Sequence, residues 1–103
     1  MALELRPFDP ADYLDDFDEM AAYLEDALSS GDEGVFTDAL GTIARAKGMT
    51  QLAKDTGLSR PTLYRSLSAG GKPEWGTVIK VLNAFGLTLT TVPARPGGAA
   101  SKP

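Results

Sequence analysis

Residues 50–67 read TQLAKDTGLSRPTLYRSL, and this stretch decides the fold. It predicts a short helix over residues 50–55, a turn at Gly57 and a second helix capped by Ser59. Two short helices can cross at a steep angle only where one of them carries a small side chain, which here is Ala53. The pattern is that of a helix-turn-helix. Its predicted core consists of Leu52, Ala53, Leu58, Leu63 and Leu67.

The predicted second helix turns donors and cations outward rather than carboxylates. In a helix-turn-helix this face enters the DNA major groove, where Arg can donate two hydrogen bonds to guanine. For Arg65 a phosphate or an intramolecular carboxylate is an equal alternative, and for Tyr64 packing beside Leu67 is favoured over a phosphate contact. The same two-helix turn also occurs as plain scaffolding. The candidate DNA-binding residues are Thr50 as N-cap of the first helix, Gln51, Lys54, Ser59, Arg60, Thr62, Tyr64, Arg65 and Lys72.

The composition excludes several kinds of site. The 103 residues contain no cysteine and no histidine, which removes disulfides, thiolate metal sites and the commonest general base. Carboxylate pairs at helical spacing, such as Asp15 with Asp18 or Asp12 with Asp16, are explained better as a solvated face than as an acid/base or metal pair. No apolar run approaches the roughly 20 residues of a membrane span, and the acidic N-terminus is unlike a signal peptide. We therefore expect a cytoplasmic, non-enzymatic protein without a cofactor.

The net charge of −4 hides a division along the chain. Residues 1–40 hold 12 of the 14 carboxylates and a single cation, Arg6. Residues 41–103 hold nine cations and only two carboxylates, Asp55 and Glu74. Such asymmetry indicates a basic face for nucleic-acid phosphate and an acidic face for another partner.

Amphipathic spacing predicts three more helices: residues 10–28 capped by Asp9, residues 32–46 capped by Asp32, and residues 74–85. Their predicted inward side chains are Tyr13, Leu14, Phe17, Met20, Ala21, Leu24 and Leu28, then Val35, Phe36, Ala39, Leu40, Ile43 and Ala44, then Trp75, Val78, Ile79, Leu82 and Phe85.

Residues 87–92, LTLTTV, alternate as in a short β-strand. The chain offers this strand no partner, so we expect it to pair with a second copy through Leu87, Leu89 and Val92. Residues 93–103 have the composition of a disordered tail. The expected fold is one all-α domain over residues 1–92, with five helices and a dimer-forming strand.

The stretch GMTQLAKDTGLSRPTLYRSLSAGGKPEWGTVIKVLNAFGLTL resembles the Xre/Cro-type helix-turn-helix family. The segments FDPADYLDDFDEMAAYLEDAL and GDEGVFTDALGTIARAKGM extend the likeness to about residues 7–92. LYRSL followed by GGKPEWGTVIKVLNAFGL resembles one subfamily, the probable addiction-module antidote proteins, or HigA-like antitoxins. The resemblance implies a Cro/repressor-like fold and a type II antitoxin that neutralises a small RelE/ParE-superfamily (HigB-type) toxin and represses their shared operon. The alternative is a stand-alone Xre-family transcriptional regulator or phage-type repressor.

Toxins of that superfamily are usually basic, which makes the acidic N-terminal region the candidate toxin-binding surface. The apolar stripe of the same helix is more naturally the domain's own core. The candidate toxin-binding residues are Asp15, Asp16, Asp18, Glu19, Glu25 and Asp26, with Tyr23 as an aromatic anchor.

Overall fold

The computed structural model describes residues 17–93, and within them it contains five helices and no strand. The helices are α1 (Phe17–Ser29), α2 (Glu33–Lys47), α3 (Met49–Thr56), α4 (Arg60–Ser66) and α5 (Trp75–Ala84). α1 packs on α2, α2 packs on α3, and α3 packs on both α4 and α5. The prediction of an all-α fold is confirmed for the described residues. None of the helices within them has the length and apolar character that crossing a membrane requires.

Several predicted features lie outside the described residues. They are the start of the first helix at Asp9, the side chains of Tyr13 and Leu14, the candidate toxin-binding residues Asp15 and Asp16, and the tail from residue 94 onward.

The junction of α2 and α3 differs from the prediction at one residue. Asp32 caps α2 as predicted, because its Oδ1 accepts a hydrogen bond of 2.8 Å from the backbone N–H of Gly34. At the other end Gly48, with φ 109, donates to the carbonyl of Ala44 and is also the N-cap of α3. Because one glycine ends α2 and opens α3, α3 begins at Met49. The predicted N-cap role of Thr50 is therefore wrong, and Thr50 lies inside the first turn.

The core receives side chains from all five helices. Its fully buried large members are Met20, Leu40, Ile43, Leu63, Leu67, Val81 and Phe85. Predicted inward side chains that the structure leaves exposed are Phe17, Leu28, Val35 and Trp75. The buried stripe of α5 is Val78, Val81, Leu82 and Phe85, at the i, i+3, i+4 and i+7 spacing of one helix face. Val81 is buried in this stripe although it was not among the predicted inward side chains. Ile79, which was predicted to face inward, is only half-buried.

α2 approaches the end of α4 so closely that only glycine fits at position 41. A Cβ on Gly41 would overlap the carbonyl oxygen of Leu67 and lie 3.3 Å from its carbonyl carbon. Leu67 caps the C-terminus of α4, where its N–H donates to the carbonyl of Leu63. This backbone contact fixes the C-terminal end of α4 against α2.

α5 ends in a glycine turn that redirects the chain. Gly86 has φ 87, the left-handed conformation in which glycine avoids a Cβ penalty. Its N–H donates to the carbonyl of Asn83, and the N–H of Leu87 donates to the carbonyl of Leu82, both at 2.9 Å. The helix therefore stops where the sequence predicted.

The strand predicted over residues 87–92 is not shown. Within the described chain, the backbone from Thr88 to Val92 makes no hydrogen bond, so nothing pairs with it. The side chains of residues 87–90 nevertheless alternate between half-buried and exposed, as the predicted strand pattern requires. Leu87 and Leu89 are half-buried against the core, whereas Thr88 and Thr90 are exposed.

Candidate nucleic-acid interface

A three-residue turn, residues 57–59, joins α3 to α4. Gly57 adopts the predicted left-handed conformation, with φ 76, and donates to the carbonyl of Ala53 at 2.9 Å. Thr56 also stabilises the turn. Its hydroxyl donates to the carbonyl of Leu52 at 2.8 Å and accepts from the N–H of Leu58 at 3.2 Å. Sequence reasoning missed Thr56. A threonine directly before a helix-ending glycine is the signal that would have found it.

The start of α4 is built as the sequence predicted. Ser59 caps the helix, because its Oγ accepts from the N–H of Thr62 at 3.2 Å. Pro61 stands in the first turn, where its missing N–H costs nothing. Ser59 also donates to the Thr62 hydroxyl at 2.8 Å, so the two side chains engage each other. Thr62 is half-buried, which leaves it less able to reach a base than the sequence suggested.

The inward face of α4 attaches it to the rest of the molecule. Leu63 and Leu67 are fully buried, and Leu52 of α3 is buried beside them in the same core. Ala53 and Leu58 pack against this core while remaining half-buried. The predicted core of the two-helix unit is thus confirmed.

The outward face of α4 carries Arg60, Tyr64 and Arg65, all exposed. Neither arginine forms an ion pair with any residue between 17 and 93, so the carboxylate alternative for Arg65 finds no support there. Tyr64 is 45% exposed and does not belong to the core, contrary to the packing role favoured for its ring. α4 therefore presents two guanidinium groups and a phenol to solvent, without an adjacent acid on the same helix.

The other candidate DNA-binding residues lie on α3 and in the turn after α4. Thr50, Gln51 and Lys54 are exposed on α3, but the Gln51 amide donates to Asp55 Oδ1 at 2.9 Å and is partly engaged. Lys72 is exposed in the turn after α4. That turn folds back on α4, because a Cβ on Gly71 would lie only 2.6 Å from the carbonyl oxygen of Arg65.

The candidate toxin-binding residues lie elsewhere, on α1. Asp18, Glu19, Glu25 and Asp26 are exposed. Tyr23 is half-buried and packs against the core, so its ring is not a freely projecting anchor.

The two regions carry opposite charge in the folded chain. Between residues 17 and 44 every charged side chain is a carboxylate, and each one is exposed. From Arg45 to Pro93 the acids are Asp55 and Glu74, against the cations Arg45, Lys47, Lys54, Arg60, Arg65, Lys72 and Lys80. Among the described residues no group of acids is arranged to hold a metal ion. The charges thus separate along the chain: the acidic region runs from α1 to Asp38 of α2, and the cationic region runs from Arg45 onward and includes α4.

The described residues thus form a small all-helical protein whose acidic and basic residues are divided along the chain. The chain belongs to the family described as probable addiction module antidote protein, whose model matches residues 4–93. An uncharacterized protein of Haemophilus influenzae (strain ATCC 51907 / DSM 11121 / KW20 / Rd) is 39% identical over 95 residues, covering 92% of this chain and 98% of that protein. No solved structure gives a significant match.

Membership of this family supports an antitoxin role and implies a toxin as partner. It also favours a regulatory protein over an enzyme.

Proposed function

We propose that this chain is the cytoplasmic antitoxin of a type II toxin–antitoxin module, with two binding activities on separate surfaces. One surface binds and neutralises a basic RelE/ParE-like (HigB-type) toxin. The other binds operator DNA through a Xre-type helix-turn-helix, formed by α3 and α4, and represses the operon that encodes both proteins. The resemblance of the sequence to HigA-like antitoxins and the antidote family of the chain both support this reading.

One observation carries the DNA-binding half: the outward face of α4 is cationic, and its two arginines have no ion-pair partner among residues 17–93. A solvent-exposed arginine without a carboxylate partner is available for a phosphate oxygen or a guanine edge. Arg60 stands at the first position of α4, next to the cap, and the N-terminal part of a recognition helix is the part that reaches base edges. We assign base reading to Arg60, and either base or phosphate contact to Arg65.

Lysines at the edges of this face would bind the DNA backbone. Lys54 on α3 and Lys72 in the turn after α4 are both exposed and flank the recognition helix in sequence. Contacts of this kind supply affinity and salt dependence without reading bases. Gln51 and Thr50 are secondary candidates, since Gln51 is already engaged with Asp55.

Selective operator binding requires two copies, because one recognition helix contacts too few bases. We propose a homodimer on DNA. Of the three side chains expected in its interface, Leu87 and Leu89 are half-buried against their own core, whereas Val92 is 79% exposed. Val92 is therefore the dimer contact that the fold leaves most available.

The acidic surface of α1 and α2 is the proposed toxin-binding side. An anionic patch accelerates the encounter with a cationic protein and excludes like-charged competitors. It would also keep this side of the molecule away from DNA, so that toxin and operator approach from different directions.

Growth rescue and promoter repression test both halves in the same cells. The chain is co-expressed with the product of the adjacent gene, which we expect to be a small basic protein, and a reporter is placed behind the promoter of the pair. We expect wild type to restore growth and repress the reporter. Arg60→Ala should lose repression but keep rescue, because Arg60 is distant in sequence from the acidic surface and contributes nothing to the core.

Equal loss of rescue and repression by a folded Arg60→Ala protein would contradict separate surfaces. Repression without any rescue by wild type would favour the alternative, a stand-alone regulator or phage-type repressor.

A further inference from the structure

A narrow apolar cleft lies between α1 and the segment that follows α5. Its walls include Ala21, Leu24 and Leu28 of α1, Phe36 of α2, and residues 87–90. Its volume is about 120 Å³. Sites for small-molecule ligands measure roughly 300–1,000 Å³. The cleft is thus too small for a metabolite but has room for an apolar side chain presented by another polypeptide.

The segment beside the cleft carries an unsatisfied backbone. The N–H of Leu87 is bonded to the carbonyl of Leu82, but the backbone groups of Thr88 to Val92 have no hydrogen-bond partner within residues 17–93. The side chains of residues 87–90 alternate between half-buried and exposed, as in a strand with one face on the core. A segment with alternating burial and unbonded main-chain groups can accept a further strand by main-chain hydrogen bonding.

The charged side chains on the helices that wall the cleft are carboxylates as far as residue 44. Glu25 lines the cleft itself, and Leu28 on its wall is 45% exposed. The other charged side chains between residues 17 and 44 are also exposed carboxylates: Asp18, Glu19, Asp26, Asp32, Glu33 and Asp38. A second copy of this chain would bring the same acidic surface against it, whereas a cationic protein is complementary.

We propose that the cleft and the edge of residues 88–92 together form a docking site for a cationic protein, which adds a β-strand to this edge and inserts one apolar side chain between α1 and Leu89. The proposal rests on the antitoxin function above, and the cationic protein is then the toxin. It moves the centre of the toxin contact from the outward carboxylates of α1 to the groove beside them. The dimer interface proposed above uses Leu87, Leu89 and Val92 of the same segment, so the toxin and a second copy of this chain compete for it. Glu25 stays at its rim as the charged contact.

The test uses the full chain, with the purified product of the adjacent gene, the expected basic toxin, as the probe. Thr90→Pro removes one N–H from the open edge, and it permits the extended backbone that strand addition requires, because proline favours that conformation in itself and in the residue before it. Thr90→Val is the matched control, since it keeps the N–H and the branched shape. Equilibrium dissociation constants are measured for both variants and for wild type, with thermal melting as the check on folding and analytical ultracentrifugation as the measure of dimerisation.

We expect Thr90→Pro to weaken the complex by roughly tenfold, the size of one lost hydrogen bond together with its misaligned neighbours. Thr90→Val should bind as wild type. Glu25→Lys should also weaken binding, and by a larger factor at low salt than at high salt. Amide hydrogens of residues 88–92 should exchange more slowly in the complex than in the free chain.

Three results would overturn the proposal in distinguishable ways. Equal affinity of wild type and Thr90→Pro, with unprotected amides at 88–92, would exclude strand addition while leaving the antitoxin function intact. A Thr90→Pro protein that binds the probe normally but no longer dimerises would assign the edge to a second copy. Absence of any complex with wild type would remove the antitoxin function and this site together.

Discussion

Replacing Gly41 with alanine should destabilise the protein, although alanine is the better helix former. Gly41 lies in the interior of α2, where an ordinary glycine-to-alanine change gains about 1 kcal/mol in helix propensity. Here the added methyl group would overlap the carbonyl oxygen of Leu67 and come within 3.0 Å of Arg45 Nη1. The Arg45 side chain can move away, but the Leu67 carbonyl belongs to the backbone that ends α4.

The size of the effect follows from these two opposing terms. Forcing extra methyl groups into a packed interior costs about 1–3 kcal/mol, and a clash with backbone belongs at the upper end of that range. After the gain in propensity we expect a net loss of about 2 kcal/mol in the free energy of unfolding. For a domain of this size, that corresponds to a melting temperature lower by about 8–16 °C.

The loss in the free energy of unfolding is measured by urea titration and by thermal melting, both monitored by circular dichroism. The matched control is Gly76→Ala in α5, where a Cβ would meet no atom within 4 Å and φ is not positive. That variant should be more stable than wild type by about 0.5 kcal/mol. The reasoning fails if Gly41→Ala and Gly76→Ala shift the midpoint in the same direction, because α2 and the end of α4 would then not be in backbone contact.

Three further predictions concern the cap, the charges and the single tryptophan. Ser59→Ala should lower the free energy of unfolding by about 1 kcal/mol in urea titration, since it removes the cap of α4, and Ser59→Asp should retain most of the stability. Lys72→Ala should weaken binding to operator and scrambled duplexes alike and reduce the salt slope of log K by about 1 per monomer; an unchanged slope would remove Lys72 from the interface. Trp75 is 64% exposed, so iodide should quench its fluorescence in the folded protein almost as efficiently as in the urea-unfolded protein. Trp75→Ala should change the free energy of unfolding by less than about 0.5 kcal/mol.

Local chemistry made much of the α2-to-α4 region predictable from the sequence. Asp32 and Ser59 each precede a run of helix-forming residues and cap as expected. Gly57 occupies the left-handed position that ends α3. The core side chains of α3 and α4 follow helical spacing within a short window. Such features depend on neighbours a few residues away, so sequence alone contains the information.

Features set by distant contacts were not predictable in the same way. Nothing in the local sequence marks Gly41 as a contact point, because its partner Leu67 lies far along the chain. Trp75 fits an inward helical spacing, yet it stands at the very start of α5 and is left exposed. Thr50 is a good capping residue, but the neighbouring Gly48 already takes that place.

The candidate DNA-binding face was predictable in outline and less so in detail. Helical spacing correctly placed Arg60 and Arg65 outward and Leu63 inward. It did not predict that Ser59 and Thr62 would hydrogen-bond to each other, or that Gln51 would bond to Asp55. Side-chain pairs of this kind compete with DNA for the same donors, and they form only in the folded chain.

Equilibrium binding of the purified chain to its own upstream promoter duplex tests the central claim, that the outward face of α4 reads DNA. Fluorescence anisotropy at low salt would compare wild type with Arg60→Ala and Arg65→Ala on the promoter and on a scrambled duplex. We predict that Arg60→Ala loses about 1–3 kcal/mol of discrimination between the two duplexes, whereas wild type prefers the promoter. A wild-type chain that leaves the promoter unbound at low salt, or an Arg60→Ala protein with undiminished preference for it, would contradict the claim.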